Sequence, residues 1–405
     1  MTTEIIITVC SLLILAYLFD VSSAKTKIPP VILLLLVGWA FSQGIHFFGI
    51  EIPDMTPILP IFGTIGLILI VLEGSLELEF HVSKIGFIAK SLIIAFVPIL
   101  VFSFGLAYTF EYFGNVPLKI GLANAIPLAV ISSSIAIPSA QNLIHSQREF
   151  ITYESSLSDI FGVIFFNFVT LNDSIGAHTF NNFVVEMLII LVVSFVATLV
   201  LAFLLSRIKH PVKFMPIILM IIMIYTVAKI FHLPGLVFIL LFGLFLGNLD
   251  ELKSFKFIEK FRPDILNLEV VKFKELTTEV VFLVRAIFFL LFGYLIETEE
   301  LLNPNTVVWA LSITAGIFVL RFVLLKVFRM KLNPLLYIAP RGLITILLFL
   351  SIPENQVIDL VDKSLIIQVI IFSALIMMFG LMINKKEPEQ SEVLPDNNIQ
   401  EVADH

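Results

Sequence analysis

Asp159 is a lone carboxylate in the middle of a long apolar run, ITYESSLSDIFGVIFFNFV. A charge at that depth in lipid is costly unless it has a partner or a task. On a helix Ser155 lies four residues before Asp159 and shares its face. Ser158 stands beside it, whereas Glu154 is about 140° around the helix. Glu154 therefore points elsewhere, and an arginine across a bundle is its natural partner. Carboxylate, hydroxyl and backbone carbonyl oxygens together suit a hard cation such as sodium. Away from water a proton competes for the same carboxylate. The chemistry implied is cation–proton exchange at Asp159; the competing reading is an Asp159–Arg pair that only holds a bundle together.

Two interrupted runs supply the other candidate groups. PLAVISSSIAIPSAQNL has Ser132, Ser133 and Ser134 in a row, followed by Pro138. NPLLYIAPRGLITILLFL has Pro340, Arg341 and Gly342 at its middle. Proline removes a backbone donor, glycine loosens the helical ladder, and serine can satisfy freed backbone groups. Arg285 lies inside a further apolar run and Glu73 near the end of another.

The elements that position these residues are membrane helices. Of the 405 residues 59% are apolar, 40 are Phe and only 14% are charged, with a mean hydropathy of +1.04. That exceeds what a soluble core requires and predicts an all-α polytopic membrane protein. Cys10 is the single cysteine, which excludes an intrachain disulfide and a cysteine metal site. The first apolar run lacks a basic start and a small-residue cleavage pattern, so it reads as a retained helix rather than a signal peptide. Residues 1–383 read as one transmembrane domain and 384–405 as a short acidic, disordered cytoplasmic tail.

Apolar segments fall at 4–22, 28–46, 57–78, 87–112, 118–143, 150–170, 183–205, 212–229, 234–249, 277–297, 306–328, 333–351 and 364–383. Thirteen candidates result, most near the ~20 residues a crossing needs. The short ones at 28–46 and 234–249 each open near proline, and one of them could be re-entrant. The positive-inside rule tests the count. It assigns 19 of the 25 basic residues to one side and only Lys119, Lys229 and Lys363 to the other, with Arg285, Arg321 and Arg341 inside spans. The N-terminus is then outside and the C-terminus cytoplasmic. The connector from Asp250 to Glu275 reads as a linker or a surface helix. The interrupted segments are the fifth and the twelfth. Seven apart, they match two inverted six-helix repeats flanking a seventh span, the arrangement that marks a transporter's midplane site. At ~1.5 Å per residue, Asp159, Ser134, Arg341 and Arg285 all come to lie ~12–13 Å deep.

With these residues in place, the chain resembles the monovalent cation:proton antiporter superfamily, nearest its sodium/proton antiporter branch, over roughly residues 25–383. YESSLSD at 153–159 is similar to that family's GESLxND; Ser158 replaces the Asn before the Asp, and Tyr153 replaces the Gly. ISSSIAI at 131–137 resembles both the ISPTDPV and the LSSTA forms, with Ser134 at the Thr position and Ile135 where some members carry Asp. PRGLITI at 340–346 resembles LRGAV. KIPPVILLLLVGWAFSQG and GLILIVLEGSLELEF resemble the family's second and third helices.

The resemblance implies a core bundle with two crossed, partly unwound helices beside a dimerisation bundle, and a homodimer in the plasma (cell inner) membrane. It implies an Asp159-centred cation site with Ser155 and the chain near Ser134 as ligands, and Ser158 beside them. It also implies a structural ion pair between Glu154 and Arg341. Glu73 falls where relatives place an acidic residue at the cytoplasmic funnel, though a snorkelling interfacial Glu fits equally. Relatives with two adjacent carboxylates pair the second with a basic group in the tenth helix. Here that carboxylate is missing, so Arg285 is left with a carbonyl, Glu73 or Asp159 as candidate partners. Arg321 is expected near the lipid headgroups or in a structural role.

With Ser158 beside it, Asp159 is the one evident exchangeable acid. The expected function is electroneutral one-for-one sodium/proton antiport by alternating access, without enzymatic chemistry, cofactor, nucleotide or nucleic acid. Lithium is a further candidate cargo. Potassium/proton antiport or potassium efflux on the same fold is the nearest alternative, and a non-transporting membrane sensor or scaffold is another.

Overall fold

The computed structural model describes residues 2–26, 28–49, 54–78, 84–172, 176–252 and 263–383. The tail from 384 onward, expected to be disordered, lies outside these residues. All regular structure among them is helical. The helices are α1 (Thr2–Thr26), α2 (Pro30–Phe48), α3 (Leu59–Glu77), α4 (Ile85–Gly114), α5 (Leu118–Ala129), α6 (Ser133–Ser139), α7 (His145–Leu171) and α8 (Ala177–Arg207). After them come α9 (Phe214–Ile230), α10 (Gly235–Gly247), α11 (Leu249–Leu252), α12 (Pro263–Tyr294), α13 (Thr298–Leu301), α14 (Pro304–Val327), α15 (Leu343–Leu350) and α16 (Lys363–Ile383).

Among the described residues ten helical stretches are long and apolar enough to cross a membrane, with α5 and α6 together making one of them. The chain is therefore an all-α polytopic membrane protein. Among the shorter elements, α9 and α10 are apolar but fall below crossing length in an untilted helix. Residues 335–350 hold a single 3₁₀ turn, Leu335–Tyr337, an extended stretch and the eight-residue α15. The described parts of the expected connector at 250–275 are helical, in α11 and in the start of α12. Residues 253–262 lie outside the described set, while α12 begins at Pro263 and runs without interruption to Tyr294. Glu269, Lys272 and Glu275 thus lie on a helical extension of the tenth apolar segment, about four turns long.

Local chemistry sets the ends. Pro30 opens α2 at its first turn, where a missing N–H costs nothing, and Gly49 closes it in the left-handed conformation (φ 65°) with its N–H on the His46 carbonyl at 3.2 Å. Buried amides close other ends. Asn248 donates to the Leu78 carbonyl just past α3 and to the Leu244 carbonyl, both at 2.8 Å. Asn124 donates to Gln356 O (2.7 Å), and Gln356 to Thr170 O (3.1 Å). Such links matter because lipid offers helices no hydrophobic driving force toward each other.

Packing falls into two groups. In one, α4 lies against α5, α7 and α14, α5 and α6 lie on α7, and α14 lies on α16. In the other, α12 lies against α2 and α3, and α10 against α3 and α8. Helix α3 touches both groups, meeting α6, α7 and α15 on its other side.

Candidate functional site

The site is built where two helical segments come apart. Helix α5 stops at Ala129, Val130 and Ser132 are extended (φ/ψ −80°/131° and −85°/116°), and α6 starts at Ser133. In the second interrupted segment the 3₁₀ turn ends at Tyr337, and α15 begins at Leu343. The two breaks are bonded to each other, with Ser132 N–H donating to the Pro340 carbonyl at 2.9 Å. Gly342 permits this contact. A Cβ there would lie 2.6 Å from Ile135 Cδ1 and 3.0 Å from Ser132 Oγ.

Breaking α5 frees backbone groups that must be satisfied out of water. Ile131 N–H donates to Ser158 Oγ at 2.9 Å. On the carbonyl side Arg341 does the work: Nε donates to Leu128 O (2.8 Å), Nη2 to Ala129 O (3.0 Å) and Nη1 to Ala339 O (2.8 Å). Its own N–H donates to Ser373 Oγ at 3.0 Å. A helix C-terminus carries unpaired carbonyls and partial negative charge, so a buried guanidinium is a fitting cap.

The expected Glu154–Arg341 pair is therefore corrected. The Arg341 guanidinium is taken up by carbonyls, and the fork facing Glu154 belongs to Arg321 on α14. Its Nη1 and Nη2 donate to Glu154 Oε1 and Oε2 at 2.6 and 2.9 Å, and its Nε to Leu335 O at 2.7 Å. Both side chains are buried, at 5% and 2% exposure, so Arg321 does not sit among headgroups. The sequence placed both arginines inside spans. It could not say which lies laterally beside α7, since depth along a helix carries no such information.

Asp159 is buried on α7. Its Oδ2 accepts the Ser133 hydroxyl, and the Ser133 N–H lies 3.4 Å from the same oxygen. Its Oδ1 is buried and has no hydrogen-bond partner among the described residues. Ser133 is the group that sequence reasoning missed. It lies inside the serine triplet, one residue before Ser134, which depth and the family's Thr position had singled out; a depth count cannot separate neighbours ~1.5 Å apart. The Ser134 hydroxyl bonds to Ser132 Oγ at 2.8 Å. The Ser155 hydroxyl donates to Ile151 O at 2.7 Å, and Ser158 Oγ holds the break.

Glu73 and Arg285 do not touch Asp159. Both line a cavity of about 780 Å³, together with Asp20, Thr152, Pro138 and Lys274. Arg285 Nη2 stands 3.7 Å from Asp20 Oδ1. Asp20, on α1, was not singled out in the sequence because nothing in its own segment marks it. A small pocket of about 10 Å³ shares Asp20, Pro138 and Arg285 with the cavity and reaches Ser134 and Ile135. The cavity thus narrows toward the first break.

Residues 9–384 match the sequence profile of the family described as "Sodium/hydrogen exchanger, transmembrane". No curated protein matches the chain. Among solved structures, the sodium proton antiporter MjNhaP1 from Methanocaldococcus jannaschii is similar at 18% identity and a TM-score of 0.64. For its structure at pH 8 the likeness covers 94% of this chain and 96% of that one. For its electron-microscopy map the shares are 94% and 95%, again with a TM-score of 0.64 and 18% identity. With a family profile matched across nearly its whole helical extent, this chain belongs to the transmembrane sodium/hydrogen exchangers, secondary sodium/proton antiporters and not enzymes.

Proposed function

We propose that the chain exchanges one sodium ion for one proton at Asp159 by alternating access. The observation that carries this reading is the unequal use of the Asp159 carboxylate. Ser133 holds one oxygen, and the other is buried with no partner among the described residues. An orphaned carboxylate oxygen out of water carries a high cost, and either a cation or a proton relieves it. Glu154 is occupied by Arg321, so it does not compete as a second exchangeable acid. Sodium on Asp159 and a proton on Asp159 both leave the site neutral. Each stroke then moves no net charge, and membrane voltage, worth ~2.3 kcal/mol per charge per 100 mV, has no purchase on the cycle.

The remaining features of the proposal follow from the sequence pattern. Thirteen apolar segments, the basic-residue partition and two breaks seven segments apart support inverted repeats. The same partition puts the N-terminus outside and the C-terminus in the cytoplasm. The packing group holding α5, α6, α7 and α15 would be the moving core, and the group of α2, α3, α10 and α12 the scaffold of a homodimer. Ser155 and Ser134 remain candidate cation ligands through their free lone pairs.

The test is exchange in proteoliposomes. The parent protein is expected to give sodium-driven proton flux without current, and Asp159→Asn to give none while remaining folded. Proton-coupled sodium flux in Asp159→Asn, or a sodium-driven current in the parent, refutes the reading.

A further inference from the structure

A hydroxyl that neither the sequence motif nor the break accounts for lies one turn before Asp159. Ser156 Oγ is buried and has no hydrogen-bond partner among the described residues. Leaving a hydroxyl in that state is unfavourable, so a group held there needs an occupant or a reason. Thr152, Ser156 and Asp159 stand at i, i+4 and i+7 of α7, within an arc of about 60°. Thr152 is in the wall of the large cavity. One helix face thus runs from water-accessible space, past an unpartnered hydroxyl, to an unpartnered carboxylate oxygen.

The opposite wall fits this path. Gly74 of α3 faces Ser156, and a Cβ at Gly74 would stand 2.7 Å from Ser156 Oγ and 3.6 Å from Ile137 Cδ1. The missing side chain leaves room for the hydroxyl at the place where α3 meets α6 and α7. Ile137 and Glu73, the latter next to Gly74 in sequence, also line the cavity. By contrast, the hydroxyls of Thr152 and Ser155 both donate to carbonyls of their own helix, at 3.0 and 2.7 Å.

We infer that Ser156 is a cation ligand on the path between the cavity and Asp159. This rests on Asp159 being the exchange site. A monovalent cation that sheds water at the cavity wall takes Ser156 Oγ as a replacement oxygen and then reaches Asp159 Oδ1. The absence of a side chain at Gly74 gives the Ser156 hydroxyl its place against α3. No covalent step is involved, only exchange of water oxygens for protein oxygens around a hard cation.

Ser156→Ala tests it, with sodium and lithium as probes in proteoliposomes and the melting temperature of the purified protein measured alongside. A ligand role predicts an apparent KM for sodium raised about tenfold, the effect of ~1.4 kcal/mol of lost binding, with no fall in melting temperature. A hydroxyl without a ligand role predicts an unchanged KM. The melting temperature is equal or higher in both cases, because an unpartnered polar atom has been removed, so KM alone separates them and the melting temperature checks that the variant is folded. Gly74→Ala, which crowds the hydroxyl without deleting it, is expected to raise the sodium KM as well. A KM for Ser156→Ala within twofold of the parent overturns the inference. Asp159→Asn is run in parallel. If it still exchanges, the Asp159 reading fails and Ser156 with it. If it is inactive while Ser156→Ala keeps its KM, only the Ser156 assignment falls.

Discussion

Replacing Glu154 by Gln isolates the ion pair that ties α7 to α14. The wild-type fork makes two bonds of 2.6 and 2.9 Å to a carboxylate that is almost wholly out of solvent. Removing one partner of such a pair leaves the other charge buried and uncompensated, at about 3–5 kcal/mol. Gln keeps one acceptor for the fork, and Arg321 Nε keeps the Leu335 carbonyl at 2.7 Å; the lower end, about 3 kcal/mol, is expected. With an unfolding entropy of roughly 2.1 cal/mol/K per residue, a chain of this length loses about 3–4 °C in Tm. The decisive assay is a pair of double-mutant cycles read by thermal melting. Glu154→Gln with Arg321→Gln should be strongly non-additive, because the second change removes the orphaned charge, with a coupling of about 2 kcal/mol or more. Glu154→Gln with Arg341→Gln should couple far more weakly than the first pair, because the Arg341 guanidinium bonds to the Leu128, Ala129 and Ala339 carbonyls and not to Glu154. Additivity in the first cycle and coupling in the second would refute the assignment and restore Arg341 as the partner.

Two further outcomes follow from the junction of the breaks. Arg341→Lys is expected to destabilise by about 2–3 kcal/mol despite keeping the charge, because a point ammonium cannot serve three carbonyls that a planar fork reaches together; a melting temperature within a degree of the parent would count against the capping role. Gly342→Ala places a methyl against Ile135 and Ser132, and should lower exchange several-fold by parting the two breaks; unchanged turnover in proteoliposomes would show that the contact is dispensable.

Much of the site was legible because lipid makes polar residues conspicuous. Asp159 and Glu154 stand out in an apolar run, and the serine triplet and the Pro-Arg-Gly run announce interruptions that no continuous helix needs. Helical phase separated Glu154 from Asp159 correctly, which is why Glu154 was expected to look for an arginine elsewhere. Lateral placement was not legible. Arg321 and Arg341 both lie within spans, and only the packing of α14 on α4 and the turn near Leu335 brings Arg321 to Glu154. Depth also failed to separate neighbours within the serine triplet, where the contact with Asp159 falls on Ser133 and the Ser134 hydroxyl turns to Ser132. Asp20 escaped notice because its partner, Arg285, sits on a helix 265 positions away in the chain.

The bond from Ser132 to Pro340, with Arg341 gripping the end of α5, has a consequence for selectivity. The two interruptions are not two loose hinges but one clasp, and the Ser133–Asp159 contact hangs from it. In the proposed alternating-access cycle, such a clasp would carry the ligand cage at Asp159 across whole rather than reshape it. On that proposal, the preference among sodium, lithium and potassium would be a property of the cage alone, and measurements from the two faces of the membrane are expected to give the same order. What would differ between the two faces is the approach, which on the side of the large cavity is lined by Asp20, Glu73 and Arg285.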